Sequence, residues 1–268
     1  MKKQELITSR RHALVGELRA VRDDRDSALM FLEGPRLVKE ILRQGQPIEV
    51  LAWTPAAETT HALDSLLDRV KRTFQLSESV FEAISDVGSP QGILAIAERP
   101  HWTWTDLWEK VPAPLVILDG IQDPGNVSTI IRTAEAAGAA GLVTTPGTAH
   151  LFSPKGLRGA MGSTLRLPSL EHQPIQTILS EISRASYALA ASTMRSPERT
   201  SDAYTRIDWK KPWAILLGQE GKGISAEWQP HIRQFVHIPM HATVESLNVA
   251  AAAAILLYES ARHRHPFD

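Results

Sequence analysis

Three short segments combine residue types and spacings that can do chemistry. The first is LDGIQDPGNVSTIIRTAEAAGA. Asp123-Pro124-Gly125 makes a turn after an apolar run, and Asn126 stands where a helix N-cap belongs. Two helical turns on, Arg132 supplies a permanent cation. An amide and a guanidinium in that relation can orient a ribose and hold its phosphate. Read only as structure, the same residues make a capped helix that stops at Gly138, with Arg132 paired to Glu135. The second segment is AILLGQEGKGIS, with Gly218, Gly221 and Gly223 directly after an apolar strand. Glycine there lets backbone approach a ligand, although a plain turn needs no more. It is neither GxxxxGK[ST] nor GxGxxG, so the common phosphate and dinucleotide loops are excluded. Glu220 sits inside it, beside whatever the glycines admit. The third is HIPMHATVESLNVAAAAAILLYE, where Ser246 and Asn248 precede an alanine-rich helix that either can cap. Alanine lets another helix come close, in this chain or in a second subunit. Residues 136–170 also carry no Asp or Glu, yet hold His150, Lys155, Arg158 and Arg166. Such a one-signed stretch attracts phosphate, unless the gap is chance.

These segments need a scaffold. Residues 1 to about 27 read as helical. MFLEGPRLVKEILRQG reads as strand, turn and a helix ending at Gly45, IEVLAWTP as a strand, and HALDSLLDRVKR (61–72) as a helix. LSESVFEAISD is a helix with Ser77 as a candidate cap, and QGILAIAERP is a strand. This alternation predicts an α/β domain. A linker lies in 99–113, whose tryptophans we assign to packing between domains. Strands are then expected at 115–120, 141–145, 187–193, 213–218 and 235–240. Helices are expected at 127–137, 174–185 and 248–262, with a long loop over 146–163. Apolar strands separated by helices predict a mainly parallel sheet.

Composition sets the outer limits. The 268 residues are 43% hydrophobic with a net charge of −1, which excludes a disordered chain. The longest apolar run, 249–257, is about half of the ~20 residues a bilayer requires. No signal peptide is expected from the first residues. With no cysteine, disulfide and thiolate chemistry are excluded, and a cytoplasmic location is compatible. The ten histidines show no ligand pattern such as HExxH, so no metal is expected.

Together and in this order, the three segments resemble the SpoU (TrmH-like) family of RNA ribose 2′-O-methyltransferases. The resemblance rests on Asn126 with Ile130-Ile131-Arg132-Thr133-Ala134, on Gly218-Gln219-Glu220-Gly221-Lys222-Gly223, and on Ile238-Pro239-Met240 with Ser246-Leu247-Asn248-Val249. FLEGPRLVKEILRQG resembles the start of an L30e-like substrate-binding domain, and SPKGLRGAMGS the family's connection between its first two motifs. Three positions depart from the pattern: Ala242 in place of a glycine, Ala250 in place of a serine, and Gln219 where serine is commoner. The implied fold is α/β: a C-terminal deep trefoil knot over 113–268, preceded by an L30e-like α/β domain over 1–100. The implied cofactor is S-adenosyl-L-methionine, held by Thr193, Met194, Gly218, Ile238, Met240 and Leu247. The implied catalytic set is Arg132, Asn126, Glu220, Ser246 and Asn248, with Arg132 as the activator. Arginine is a poor base, so holding the 3′-phosphate and stabilising a developing alkoxide suits it better. Lys155 and Arg158 are the expected RNA contacts. The implied substrate is 23S rRNA, and the implied assembly a homodimer. The alternatives are the same chemistry on tRNA, or a non-catalytic RNA-binding protein associated with the ribosome.

Overall fold

The structure is a computed structural model and describes residues 5–23, 28–60, 69–194, 200–219, 221–241 and 246–264. It divides into two compact units, 1–101 with 152–165, and 102–151 with 166–268.

The first unit opens with β1 (Leu6–Ile7) and α1 (Ala13–Asp23), a shorter helix than the sequence suggests. Strand β2 (Leu29–Glu33), α2 (Pro35–Arg43), β3 (Ile48–Trp53) and α3 (Pro55–Thr60) follow. Then come β4 (Val70–Leu76), α4 (Glu78–Ile84) and β5 (Ile93–Glu98). Proline at N1 starts α2, and Gly45 at φ +73° lies just beyond its end. The helix expected over 61–72 does not reach its end: residues 70–76 are strand. Leu63, Leu66, Leu67 and Val70 carry a helical spacing past the true boundary, whereas Val70, Thr73 and Phe74 favour extended backbone. Residues 61–68 lie outside the described residues. The sheet order is β1-β4-β3-β5-β2, with β5 antiparallel to both neighbours and the other pairs parallel.

The second unit begins with α5 (Trp104–Trp108), held by a Thr103–Asp106 capping box. Leu107 is buried in this unit's core. Trp104 stacks on Trp108 at 5.8 Å, and Trp108 meets Tyr187 at 5.3 Å. Trp104 and Trp108 thus have packing partners inside this unit. The Tyr187 hydroxyl donates to the Ala113 carbonyl at 2.7 Å, and burial pushes its pKa up to about 12.

Strand β6 (Leu115–Asp119), α6 (Pro124–Ala136) and β7 (Gly141–Thr144) come next. Val127, Ile130, Ile131 and Ala134 form the buried stripe of α6. Each large apolar member contributes roughly 1.5–3 kcal/mol by leaving water. The expected loop over 146–163 contains α7 (Pro154–Ala160), which packs on β2 in the first unit. Its two glycines hide the helical period, but Ser153 caps it, accepting from the Gly156 amide at 3.2 Å. A single cut at the linker would leave this segment with the second unit.

The remaining elements are β8 (Ser169–Leu170), α8 (Ile175–Arg184), β9 (Ala188–Ser192), β10 (Asp202–Ala203), β11 (Trp213–Gly218), β12 (Gln234–His237) and α9 (Val249–Arg264). The strands form a wholly parallel sheet in the order β10-β12-β9-β11-β6-β7-β8. Among the described residues, no helix is long and apolar enough to cross a membrane.

Candidate active site

The site starts with how α6 begins. Pro124 takes the first helical position, and Asp123 is the cap, its carboxylate accepting from the Gly125 amide at 2.9 Å. Proline has no N–H to satisfy and its φ suits a first turn, so the helix starts earlier than expected. Asn126 thus lies inside the first turn instead of capping it. Its side-chain oxygen accepts from Asn248 Nδ2 at 3.0 Å, a contact across 122 residues of chain. Asn248 in turn caps α9: its Oδ1 accepts from the Ala250 and Ala251 amides at 2.8 and 3.3 Å.

At the opposite end, Arg264 of α9 donates to the Ala137 and Gly138 carbonyls at 3.0 and 3.3 Å, just past α6. Both starts touch and both ends touch, so α6 and α9 run parallel. The alanines make this possible, with Ala250, Ala253 and Ala261 buried. The close helix partner expected for the alanine run is therefore internal. The two positive dipole ends lie together, which favours an anionic group there.

Beside Asn248 opens a cavity of about 460 Å³, within the ~300–1,000 Å³ usual for small ligands. Its walls come from the carboxyl ends of the adjacent strands β9, β11 and β12, where open parallel sheets bind ligands. Thr193, Met194, Gly218, Ile238, Met240 and Leu247 all line it, as do Ser246 and Asn248. The structure thus gathers every residue proposed for the cofactor. Apolar Leu217, Ile238 and Met240 beside Thr193, Lys222 and Asn248 suit a ligand with a flat apolar ring and a charged tail.

Gly218 is required by the loop. A Cβ there would lie 2.4 Å from the Gly223 carbonyl oxygen. That oxygen accepts from the Gln219 amide at 3.0 Å, and the Gly223 amide returns a bond to Gln219 at 2.8 Å. The loop is anchored from below by Asp119, a buried residue that sequence reasoning missed. One carboxylate oxygen accepts from Thr145 Oγ1 at 3.0 Å and the other from the Ser225 amide at 2.9 Å. The available signal was an acidic residue closing the otherwise apolar run LVILD.

Other expected residues are placed differently. Arg132 is exposed on α6, about 9 Å along the axis from Asn126, and does not line the cavity. Glu135, its expected partner, takes two bonds from Arg166 at 2.5 and 2.8 Å. Glu220 and Ala242 lie outside the described residues. Lys155 and Arg158 are on α7, and Arg158 is bonded to Asp86 at 3.0 Å.

A parallel α/β unit with a ligand cavity at adjacent strand ends belongs to the class of nucleotide- and cofactor-binding sheets. The chain belongs to the SpoU rRNA methylase family, which it matches over residues 113–258, while residues 16–95 match the MRM3-like substrate binding domain. It is 30% identical over 266 residues to an uncharacterized tRNA/rRNA methyltransferase of Synechocystis, covering 96% of this chain and 94% of that one. It is 31% identical to the 23S rRNA (guanosine(2553)-2′-O)-methyltransferase RlmP of Bacillus subtilis, covering 85% and 86%. Among solved structures, the AdoMet-bound rRNA methyltransferase from Sinorhizobium meliloti superposes with a TM-score of 0.82 at 28% identity, covering 98% of this chain and 99% of that one. The fold is accordingly the α/β knot of the family, behind an α/β substrate-binding domain.

Proposed function

We propose that this chain transfers a methyl group from S-adenosylmethionine to a ribose 2′-hydroxyl of 23S rRNA, acting as a cytoplasmic homodimer. The observation that carries this reading is the Asn126–Asn248 bond at the edge of the glycine-lined cavity, which brings the first and third motifs together. The relatives' names supply the substrate class, and the AdoMet-bound structure supplies the cofactor.

When bound, S-adenosylmethionine supplies an electrophilic methyl on a sulfonium. The residues around it then have three tasks. Thr193, Gly218, Ile238, Met240 and Leu247 hold the nucleoside, mostly through backbone, with Met194 at the rim. Asn126, Asn248 and Ser246 position the ribose or the amino-acid carboxylate, aided by the two helix N-termini. Arg132 binds the 3′-phosphate and stabilises the developing alkoxide while phosphate or water takes the hydroxyl proton, and Glu220 orients Arg132 or a neighbouring amide. Lys155 and Arg158 take phosphates of the RNA.

The exposure of Arg132 outside its own cavity supports a site shared between subunits. So does the outer face of α9, where Ala251, Ile255 and Tyr258 form an apolar stripe and Tyr258 is 46% exposed. In this reading a second copy covers that stripe and contributes its own Arg132 to the shared site.

The experiment is methyl transfer to unmodified rRNA and tRNA, alongside calorimetry with S-adenosylmethionine. Arg132→Ala is expected to lower kcat by about 10²–10³-fold, as loss of an oxyanion donor does, while cofactor affinity stays unchanged. Near-normal transfer by this variant removes Arg132 from the mechanism. Transfer confined to tRNA overturns the substrate, and the absence of cofactor binding overturns the activity.

A further inference from the structure

On the other side of β6 from the cavity, the sheet ends in β7 and β8. The segments beyond these two strands bring His150, Glu171 and His172 together. His172 Nε2 lies 3.1 Å from His150 Nδ1. Glu171 Oε1 lies 3.8 Å from that same His150 nitrogen and 4.0 Å from the same His172 nitrogen. These three atoms define a triangle, and a point about 2.1 Å from all of them exists at its circumcentre. Zinc–nitrogen and zinc–carboxylate bonds are ~2.0–2.2 Å. We propose that His150, Glu171 and His172 form a binding site for one divalent transition-metal ion of the zinc type, clipping the loop after β7 to the segment after β8.

The donors are held in place before any ion arrives. The His172 amide donates to Thr144 Oγ1 at 2.9 Å, and the Gln173 amide to the Thr144 carbonyl at 2.8 Å. Both bonds fix the 171–173 backbone to the end of β7. The same Glu171 oxygen accepts from the Leu151 amide at 2.6 Å, which orients the carboxylate toward the histidines. His172 adopts φ +52°, a left-handed backbone that costs a side-chain-bearing residue roughly 1–2 kcal/mol. That conformation carries its ring to within 4.3 Å of the His150 ring.

The donor set selects the ion. Two imidazoles and one carboxylate suit zinc and its first-row neighbours, whereas magnesium and calcium prefer all-oxygen shells. The site is reachable, with the His172 side chain 29% exposed. Both facing nitrogens must present lone pairs, so each ring carries its proton on the other nitrogen. From two neutral rings this is a tautomer change that releases no proton. The carboxylate leaves one net positive charge on a bound divalent ion, and three protein donors leave the remaining positions to water. This site stands apart from the methyl-transfer cavity and does not depend on the function assigned there. It revises the sequence-based expectation of no metal, because HExxH spacing tests only for donors on one helix.

The test uses the full chain stripped with a chelator and titrated with zinc against a competing chromophoric chelator. One equivalent per chain is expected in the wild type. His172→Asn removes a donor with a residue that tolerates the left-handed backbone, and should weaken that equivalent at least 100-fold. Glu171→Gln keeps an acceptor for the Leu151 amide, so it guards against misfolding, and should weaken binding about 10- to 100-fold. Cobalt in place of zinc should give visible ligand-field bands that His172→Asn loses and that Glu171→Gln develops only at about 10- to 100-fold higher cobalt. Zinc should raise the melting temperature of the wild type and not of His172→Asn. Unchanged stoichiometry and affinity in His172→Asn, or a wild type that binds zinc no better than the variants, overturns the site.

Discussion

Gly218→Ala tests whether the glycine loop is the floor of the cofactor site. The added Cβ would sit 2.4 Å from the Gly223 oxygen, 2.5 Å from its carbonyl carbon and 2.7 Å from the Ile224 nitrogen. All three are backbone atoms, so no rotamer can relieve the clash. Ordinary contact begins near 3.4 Å, which requires the loop to withdraw by about 1 Å. Such a shift stretches both Gln219–Gly223 bonds, now 3.0 and 2.8 Å, past useful length. Two backbone hydrogen bonds at a net ~0.5–1.5 kcal/mol each give about 1–3 kcal/mol. Overpacking gives the same range independently. If that energy must be recovered to form the bound loop, S-adenosylmethionine affinity falls about 5- to 150-fold. The neighbouring glycines are internal controls. A Cβ at Gly221 meets nothing within 4 Å, so Gly221→Ala should bind normally. Gly223→Ala meets no atoms either but sits at φ +69°, so it should lose about 1 kcal/mol, close to fivefold. Calorimetry with the cofactor reads all three, and thermal melts check the fold. Equal affinities for Gly218→Ala and Gly221→Ala would refute the reasoning, because the clash would then have no bearing on the site.

Two further predictions separate stability from chemistry. Asn248→Asp keeps the oxygen that caps α9 but loses the donor to Asn126, so it should melt within ~0.5 kcal/mol of wild type yet transfer methyl poorly. Asn248→Ala should in addition cost ~0.5–2 kcal/mol for the lost cap, and paired melts and transfer assays distinguish them. Tyr187 gives a pH signature at the alkaline end. Its pKa is raised from 10.0 to about 12 by burial, so stability is full below pH 10 and is lost as pH rises from 10 to 12. Denaturant unfolding should show a loss of about 2 kcal/mol across that window in wild type, and Tyr187→Phe should abolish this dependence.

Much of the scaffold was legible because its signals are local. The strands at 115–119 and 213–218 carry the short apolar runs LVIL and WAILL, the end of α8 shows in Arg184 and the start of α9 in Asn248. The misses have local causes too. The glycines of PKGLRGA hid α7, and the leucine spacing of 61–72 ran over the start of β4. The tryptophans of WTWTDLW carry no period from which a partner could be inferred, and the partner of Trp108 is Tyr187, nearly 80 residues on.

The site was legible in a different way: its residue types were visible, but their meeting was not. Asn126 looked like a cap, and Asn248 is one, so either reading satisfied the local backbone. What distinguishes them is the parallel pairing of α6 with α9, a relation between elements more than a hundred residues apart. Three conditions set it: the alanines that permit close approach, Arg264 across the end of α6, and the order of strands that puts β11 beside β6. None of these has a period in the sequence. The same holds for Asp119, whose carboxylate braces a loop 106 residues later through a backbone amide. A backbone donor has no residue type, so no motif could announce it. Functional geometry in this fold is therefore carried by contacts between turns, with side chains on one segment addressing main chain on another. A substitution at Asp119, which lies outside the cavity lining, should accordingly disturb cofactor binding as strongly as one at a residue that touches the ligand.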